Sequence, residues 1–264
     1  MQLLSIVSSF RQDGNTARMA DLLEEQLKKE AVQKGMELSI ERVSLGKLDI
    51  QMCRGCRACF DWGEDKCPLK DDLLSLRDKM LAADGYLVAS PVYVEDVNGI
   101  LKNCIDRLAF LCHRPALLKK SVFLMTTAGM GSSNHALRTM STAFYAWGCR
   151  LAGQAKFSAG ALTGKEELKK KHEAAILSAA QAFVWNLSQG DQAAPSLYSL
   201  IAFAVQQKYW NKESYQQKSP LDYAYWKSKG WLEQGCNYYL PLKKYAWKAG
   251  IARLLARVIV RFVF

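Results

Sequence analysis

A chain of 264 residues, 50% hydrophobic and 23% charged, is long enough to bury a substantial core and too apolar for wholesale disorder. It has no run of about 18 apolar residues, and Met1-Gln2-Leu3-Leu4 leads straight into a strand-like segment without a basic flank or cleavage site, so a cytoplasmic protein is expected. The net charge of +11 is uneven: residues 191–264 hold 11 Lys/Arg against 4 Asp/Glu, eight of the eleven tyrosines and four of the seven tryptophans. Composition therefore proposes a domain over 1–190 and a basic, aromatic-rich extension over 191–264.

Gln2 to Ser8 reads as a buried strand. Asn15 to Lys34 has the spacing of an amphipathic helix, with Ala17, Met19, Ala20, Leu22, Leu23 and Leu27 for its apolar side and Gly35 to stop it. Glu37 to Val43 alternates like a strand near a sheet edge, and Asp72 to Ala82 is a short helix. Gly85 to Ser90 is a central strand, Asn98 to Cys112 a helix, Ser121 to Thr126 a buried strand, Ser132 to Trp147 a helix, Leu151 to Ala159 a last strand and Lys165 to Gln189 a helix. Five strands alternating with helices predict an α/β fold with a parallel sheet covered on both faces. Ligands of such sheets bind beyond the carboxyl ends of the strands. Attention falls on the loops after the first, third and fourth strands.

The first of these, Ser8 to Thr16, offers hydroxyls and an amide from Ser8, Ser9, Asn15 and Thr16, a charge from Arg11, and close backbone approach at Gly14 where a helix begins. A helix N-terminus favours a phosphate, although an ordinary capped turn uses the same residue types. With no Gly-Lys-Ser/Thr ending and no Gly-x-Gly-x-x-Gly pattern, a phosphomonoester suits the loop better than a nucleoside triphosphate or a dinucleotide. The second loop, Pro91-Val92-Tyr93-Val94-Glu95-Asp96, puts a tyrosine where it can lie against a flat ring. The third, Thr126-Thr127-Ala128-Gly129-Met130-Gly131, is small enough for a ring to approach backbone amides. A phosphate end and a planar aromatic end together match FMN.

Half of the eight cysteines fall in one stretch, Cys53-Arg-Gly-Cys56-Arg-Ala-Cys59 and then Cys67. Reduced thiols are expected in the cytoplasm, so this array reads as ligands, and either zinc or an iron–sulfur cluster accepts the spacing; an empty array or redox-active thiols is the alternative. Arg54, Arg57 and Lys66 would offset thiolate charge, or simply be solvated. Cys104, Cys112, Cys149 and Cys236 are scattered and read as buried small hydrophobes. Asp71 and Asp72 are placed to cap the following helix. His113, His135 and His172 are isolated in sequence and none is assigned to a metal.

Three segments make the chain resemble the NADPH-dependent FMN reductase family of flavodoxin-like proteins, and within it the iron–sulfur flavoproteins: the Ser-x-Arg-x-x-Gly-Asn-Thr form of Ser9 to Thr16, Ser90-Pro91-Val92-Tyr93 with Asn98 to Arg107 behind it, and the cysteine array closing on Cys67-Pro68-Leu69-Lys70-Asp71-Asp72. The resemblance covers about residues 1–185. It implies a five-stranded flavodoxin-like sheet in the order 2-1-3-4-5. It also implies an FMN phosphate held by Ser9, Arg11, Asn15 and Thr16, an isoalloxazine held by Pro91, Val92, Tyr93, Thr127, Ala128 and Gly129, and a 4Fe-4S cluster on Cys53, Cys56, Cys59 and Cys67. The implied activity is transfer of a hydride from NAD(P)H to FMN and onward passage of electrons to a small-molecule or protein acceptor. No catalytic side chain is demanded. Family relatives form dimers or tetramers, so a homo-oligomer is expected. The rival readings are an electron carrier reduced by a separate reductase, a flavin or quinone reductase without a cluster, and a zinc-stabilised flavin-binding protein.

The extension begins with an apolar helix, Leu197 to Trp210, and ends in a helical segment, Ala249 to Phe264, where Arg253, Arg257 and Arg261 recur every four residues among large apolar ones. That segment is short for a span and permits peripheral contact with anionic lipid at the inner face of a membrane. Packing on its own core or on a partner subunit is the alternative. No base-reading fold is recognisable, so nucleic acid is not an expected partner.

Overall fold

The computed structural model describes residues 1–129, 134–160, 163–190, 194–242 and 245–263. In chain order they form β1 (Gln2–Val7), α1 (Asn15–Gln33), β2 (Ser39–Ser44), α2 (Ala58–Asp61), α3 (Leu73–Ala82), β3 (Gly85–Tyr93), β4 (Asp96–Val97), α4 (Gly99–Arg107), β5 (Ser121–Ala128), α5 (Asn134–Ala146), β6 (Arg150–Ser158) and α6 (Lys165–Ser188). Four helices follow: α7 (Leu197–Trp210), α8 (Glu213–Lys218), α9 (Pro220–Ser228) and α10 (Ala246–Val263).

The parallel strands run in the order β2-β1-β3-β5-β6. With the two-residue β4 set aside, this is the flavodoxin-like 2-1-3-4-5 order. Because side chains alternate along a strand, Leu4, Ile6, Tyr86, Val88, Val122 and Leu124 join α3, α4 and α5 in one core. Their neighbours Leu3, Val7, Leu87, Ala89, Phe123 and Met125 join α1 and α6 in the other. All six apolar positions expected on α1 are buried.

Two boundaries differ from expectation. β3 does not stop at Ser90; it runs through Pro91 to Tyr93 and folds back onto β4. The Ala89 carbonyl faces β1, accepting from Ser8 N at 2.9 Å, and Pro91, two residues on, points its nitrogen to the same side beyond the end of β1. The N–H that proline lacks is therefore not needed there. The β3–β4 turn places Val94 (φ 49°) and Glu95 (φ 66°) in the left-handed region. The helix expected from Asn98 to Cys112 ends at Arg107, and Ala109–Cys112 tightens into a 3-10 turn. Ser132 and Ser133, expected to open the next helix, lie outside the described residues, as do Met130 and Gly131.

The C-terminal helices have a core of their own, built on Leu200, Phe203, Trp210, Trp226, Trp231, Tyr238 and Tyr239. It meets the sheet domain through polar bonds as well as rings: Tyr225 Oη donates to Pro115 O and Trp226 Nε1 to His113 O, each at 2.7 Å. Tyr145 and Tyr198 pack with ring centroids 5.6 Å apart. Among the described residues no helix is long and apolar enough to cross a membrane.

Candidate flavin groove and cysteine cavity

Four strand ends converge on one groove. It is lined by Ser9, Arg11, Gly14, Asn15 and Thr16 after β1, by Pro91, Val92 and Tyr93 at the end of β3, by Thr127, Ala128 and Gly129 at the end of β5, and by Ala159 and Gly160 after β6. Ten of the eleven expected cofactor residues thus line it; the eleventh, Ser8, lies beneath. Its side chain is fully buried, and its Oγ has no hydrogen-bond partner among the described residues. Ala159 and Gly160 are additions. The carboxyl-end rule extends to the last strand as well, but the small residues of its loop carry no distinctive chemistry in the sequence.

The phosphate-type end is built from backbone. Gly14, the N-cap of α1, brings no side-chain cap, and the first intrahelical bond runs from Arg18 N to Gly14 O at 3.0 Å. The first-turn amides before it open toward the groove. Ser9 Oγ accepts from Arg11 N at 3.1 Å, which leaves the Ser9 proton to donate outward. Asn15 and Thr16 do a different job from the one their residue types suggest. Asn15 Nδ2 donates to Gly160 O, its Oδ1 accepts from Thr163 N at 3.2 Å, and the Thr16 and Thr127 hydroxyls are 2.6 Å apart. Their side chains tie the walls together while their amides remain at the helix start. Asn98 Nδ2 donates to Ser8 O from the far side. The orphaned Ser8 hydroxyl, the uncapped helix and the adjacent Arg11 fit an anionic phosphate, and exposed Tyr93 offers a ring at the opposite end.

The second site lies between α2, α3 and α4. Cys53, Cys56, Cys59 and Cys67 all line one cavity of about 100 Å³, with Arg54, Arg57, Phe60, Glu64 and Arg107 among its other walls. Left-handed Gly55 (φ 63°) and Arg57 (φ 64°) curl the chain between the first three cysteines. Cys53 N donates to Asn103 Oδ1 at 3.1 Å, and Asn103 Nδ2 donates back to the carbonyls of Ile50 and Gln51. Burial, together with the nearness of Cys67 and Cys53, pushes the Cys59 thiol up. No three His, Cys, Asp or Glu side chains among the described residues come close enough to hold a single metal ion. Four cysteines on one cavity match a four-thiolate donor set in kind and number, which an iron–sulfur cluster and zinc both accept.

Arg107, a charge that on an amphipathic helix reads as solvated, is instead buried beside this cavity. It pairs with Asp71 at 2.6 Å, donates to Gln51 O at 2.7 Å and reaches Cys67 Sγ at 3.8 Å. Burial raises the Asp71 carboxyl, but the Arg107 guanidinium and the amides of Gln51 and Leu73 lower it further, to below the usual carboxylate range. The expected capping pair is accordingly split. Asp71 does accept from Leu73 N, at 3.1 Å, whereas Asp72 turns to Asp49 N at 2.8 Å; both aspartates thereby hold the segment leading into the cysteines. Cys104 and Cys149 are buried as expected, Cys112 and Cys236 half-buried. His113, isolated in sequence, bonds Asp222 at 2.7 Å.

The sequence model for NADPH-dependent FMN reductase matches residues 1–163. An iron–sulfur flavoprotein of Archaeoglobus fulgidus is 29% identical over 238 residues, covering 88% of this chain and all of the relative. A second from the same organism is 32% identical over 149 residues, 56% of this chain and 69% of the relative. The first match spans more of the chain than residues 1–190 contain, so similarity extends past the expected limit near residue 185 into the C-terminal helices. Among solved structures, RosB with a bound riboflavin-phosphate intermediate superimposes with a TM-score of 0.58 at 18% identity, over 81% of this chain and 88% of that one, a likeness of fold. On the family match, the chain belongs to the NADPH-dependent FMN reductase family of flavodoxin-like oxidoreductases.

Proposed function

We propose that the protein is an FMN-dependent oxidoreductase that accepts electrons from NAD(P)H and passes them to an acceptor through a 4Fe-4S cluster on Cys53, Cys56, Cys59 and Cys67, with residues 1–190 as the flavin domain. The observation that carries this is the pairing of the two sites: a phosphate-and-ring groove at the strand ends, and four thiols around one cavity. Relatives named iron–sulfur flavoproteins add support. When bound, FMN supplies exchange between two-electron donors and one-electron carriers, and a thiolate cluster carries single electrons. The chain's own part is binding and tuning. The α1 amides, Ser9 and Arg11 hold the phosphate above the buried Ser8; Pro91 to Tyr93 and Thr127 to Gly129 flank the ring. Arg107 and the arginines of the cysteine loop offset thiolate charge.

The test is protein purified without oxygen, with FMN, iron and sulfide counted on one sample and the flavin absorbance followed on adding NADH or NADPH. One FMN with about four irons and four sulfides per chain, and rapid bleaching by either nicotinamide, is the expected result. FMN without iron removes the cluster. Bleaching only after a separate reductase is added makes the protein a carrier, and failure to bind FMN overturns the reading altogether.

A further inference from the structure

Helix α10 is built inside out. A surface helix ordinarily buries its large apolar side chains and exposes small or polar ones. Here the buried positions are alanines, Ala249, Ala252 and Ala256, packed against α7. The large side chains face away from the protein: Trp247 is 63% exposed, Leu254 62%, Val258 50% and Phe262 82%, with Ile251 between them. Spaced three or four apart, these five share one stripe along the full length of the helix. Exposed Arg257 and Arg261 run along one flank and Lys248 stands at the start, with Lys243 and Lys244 just before it in the chain. The helix contains no Asp or Glu, and residues 191–264 carry most of the net charge of +11.

We infer that the outward face of α10 lies on an anionic lipid surface, with Trp247, Ile251, Leu254, Val258 and Phe262 inserted at the headgroup boundary and Arg257 and Arg261 paired with lipid phosphates. The stripe is continuous, apolar and aromatic at both ends, as an in-plane interfacial helix requires. A second copy of the chain is the poorer occupant. Two such faces brought together by a two-fold axis would set arginines against arginines with no carboxylate on either helix, between molecules that repel through their net charge. A bilayer with acidic headgroups supplies both the hydrocarbon and the counter-charge. The face is separate from the groove and the cysteine cavity, so the inference does not depend on the redox reading.

The experiment is flotation of the full-length protein with vesicles of phosphatidylglycerol and phosphatidylcholine, in parallel with vesicles of phosphatidylcholine alone, at low and high salt, with sedimentation of the lipid-free protein alongside. The expected result is flotation with the acidic vesicles at low salt and release at high salt. R257Q/R261Q should weaken partitioning about 30-fold, at roughly one kcal/mol per basic residue near the surface. L254E/V258E should abolish it without changing the circular dichroism, since neither side chain is buried. No flotation by the wild type, equal binding to both vesicle types, or unchanged binding by L254E/V258E overturns the proposal. So does an L254E/V258E protein that changes only its oligomeric state, which would make the face an interface between copies.

Discussion

Two buried residues set the electrostatics beneath the cysteines. The Arg107 and Asp71 side chains are 3% and 1% exposed, so each is tolerable only because the other is present. Asp71 is held below its ordinary range, and its charged form therefore stabilises the fold above the unfolded value of about 3.9. That contribution is lost as pH falls through the lower folded value. Arg107→Met strands a buried carboxylate and should cost about 3–5 kcal/mol at neutral pH. The difference should shrink in acid, where the carboxylate is neutral whether or not its partner is there. Urea unfolding of both proteins at neutral and acid pH reads this directly; a gap independent of pH would remove the Asp71 charge from the account. Gly46 is a second single-residue constraint, because a Cβ there would sit 2.7 Å from Phe10 Cα and 3.0 Å from Ser9 O. Gly46→Ala must push the phosphate-type loop aside, at about 1–3 kcal/mol, and FMN titration should show weaker binding. Gly164→Ala, where a Cβ meets nothing within 4 Å, should bind as the wild type does, and equal affinity in both variants would show that the loop absorbs the methyl group.

Between elements, the decisive contact joins α9 to the cysteine loop. Asp222, 1% exposed, bonds both His113 and Arg114. Arg114 in turn donates to Cys59 O at 2.6 Å and to Glu64 at 3.2 Å, so a residue of the C-terminal extension fixes the backbone of a candidate ligand. Asp222→Asn loosens that clamp. In metal-free protein, Cys59 should then react with iodoacetamide faster than in the wild type, approaching the rates of exposed Cys53 and Cys56; an unchanged Cys59 rate by mass spectrometry would release α9 from this role. This clamp also marks where reading the sequence runs out. The strand pattern Leu3-Leu4-Ser5-Ile6-Val7, the α1 spacing and the Cys53–Cys67 array are local signals, each carried by residues a few positions apart, and they survive in the structure. Arg114 and Asp222 meet across the whole domain, and nothing near either one announces the other. Pro91 reads locally as a strand end, yet β3 continues because β1 has already stopped, a fact about a neighbour. Asn15 and Thr16 reach the groove as expected, but their side chains brace its walls, since the Gly160 and Thr127 partners are supplied by strands far along the chain.

At the scale of the molecule, the two candidate sites depend unequally on the C-terminal helices. Every groove residue lies between Ser9 and Gly160, ahead of α7, whereas the cysteine loop leans on α9 through Arg114. Removing residues 191–264 therefore separates the two sites experimentally. A chain ending at Gly190 loses the Arg114–Asp222 pair, the bonds from Tyr225 and Trp226, and the cover over Tyr145 and Leu118. Loss of these contacts and of the apolar cover lowers the stability of what remains, so Tm should fall. The groove keeps all its walls, so FMN affinity should stay within about threefold, or roughly 0.6 kcal/mol, when titrated by flavin fluorescence well below the lowered Tm. Iron retention after anaerobic reconstitution should fall sharply in the same sample, because the Cys59 carbonyl has lost the anchored guanidinium that holds it. Retained iron with lost FMN would reverse the assignment, tying the C-terminal helices to the flavin end of the molecule.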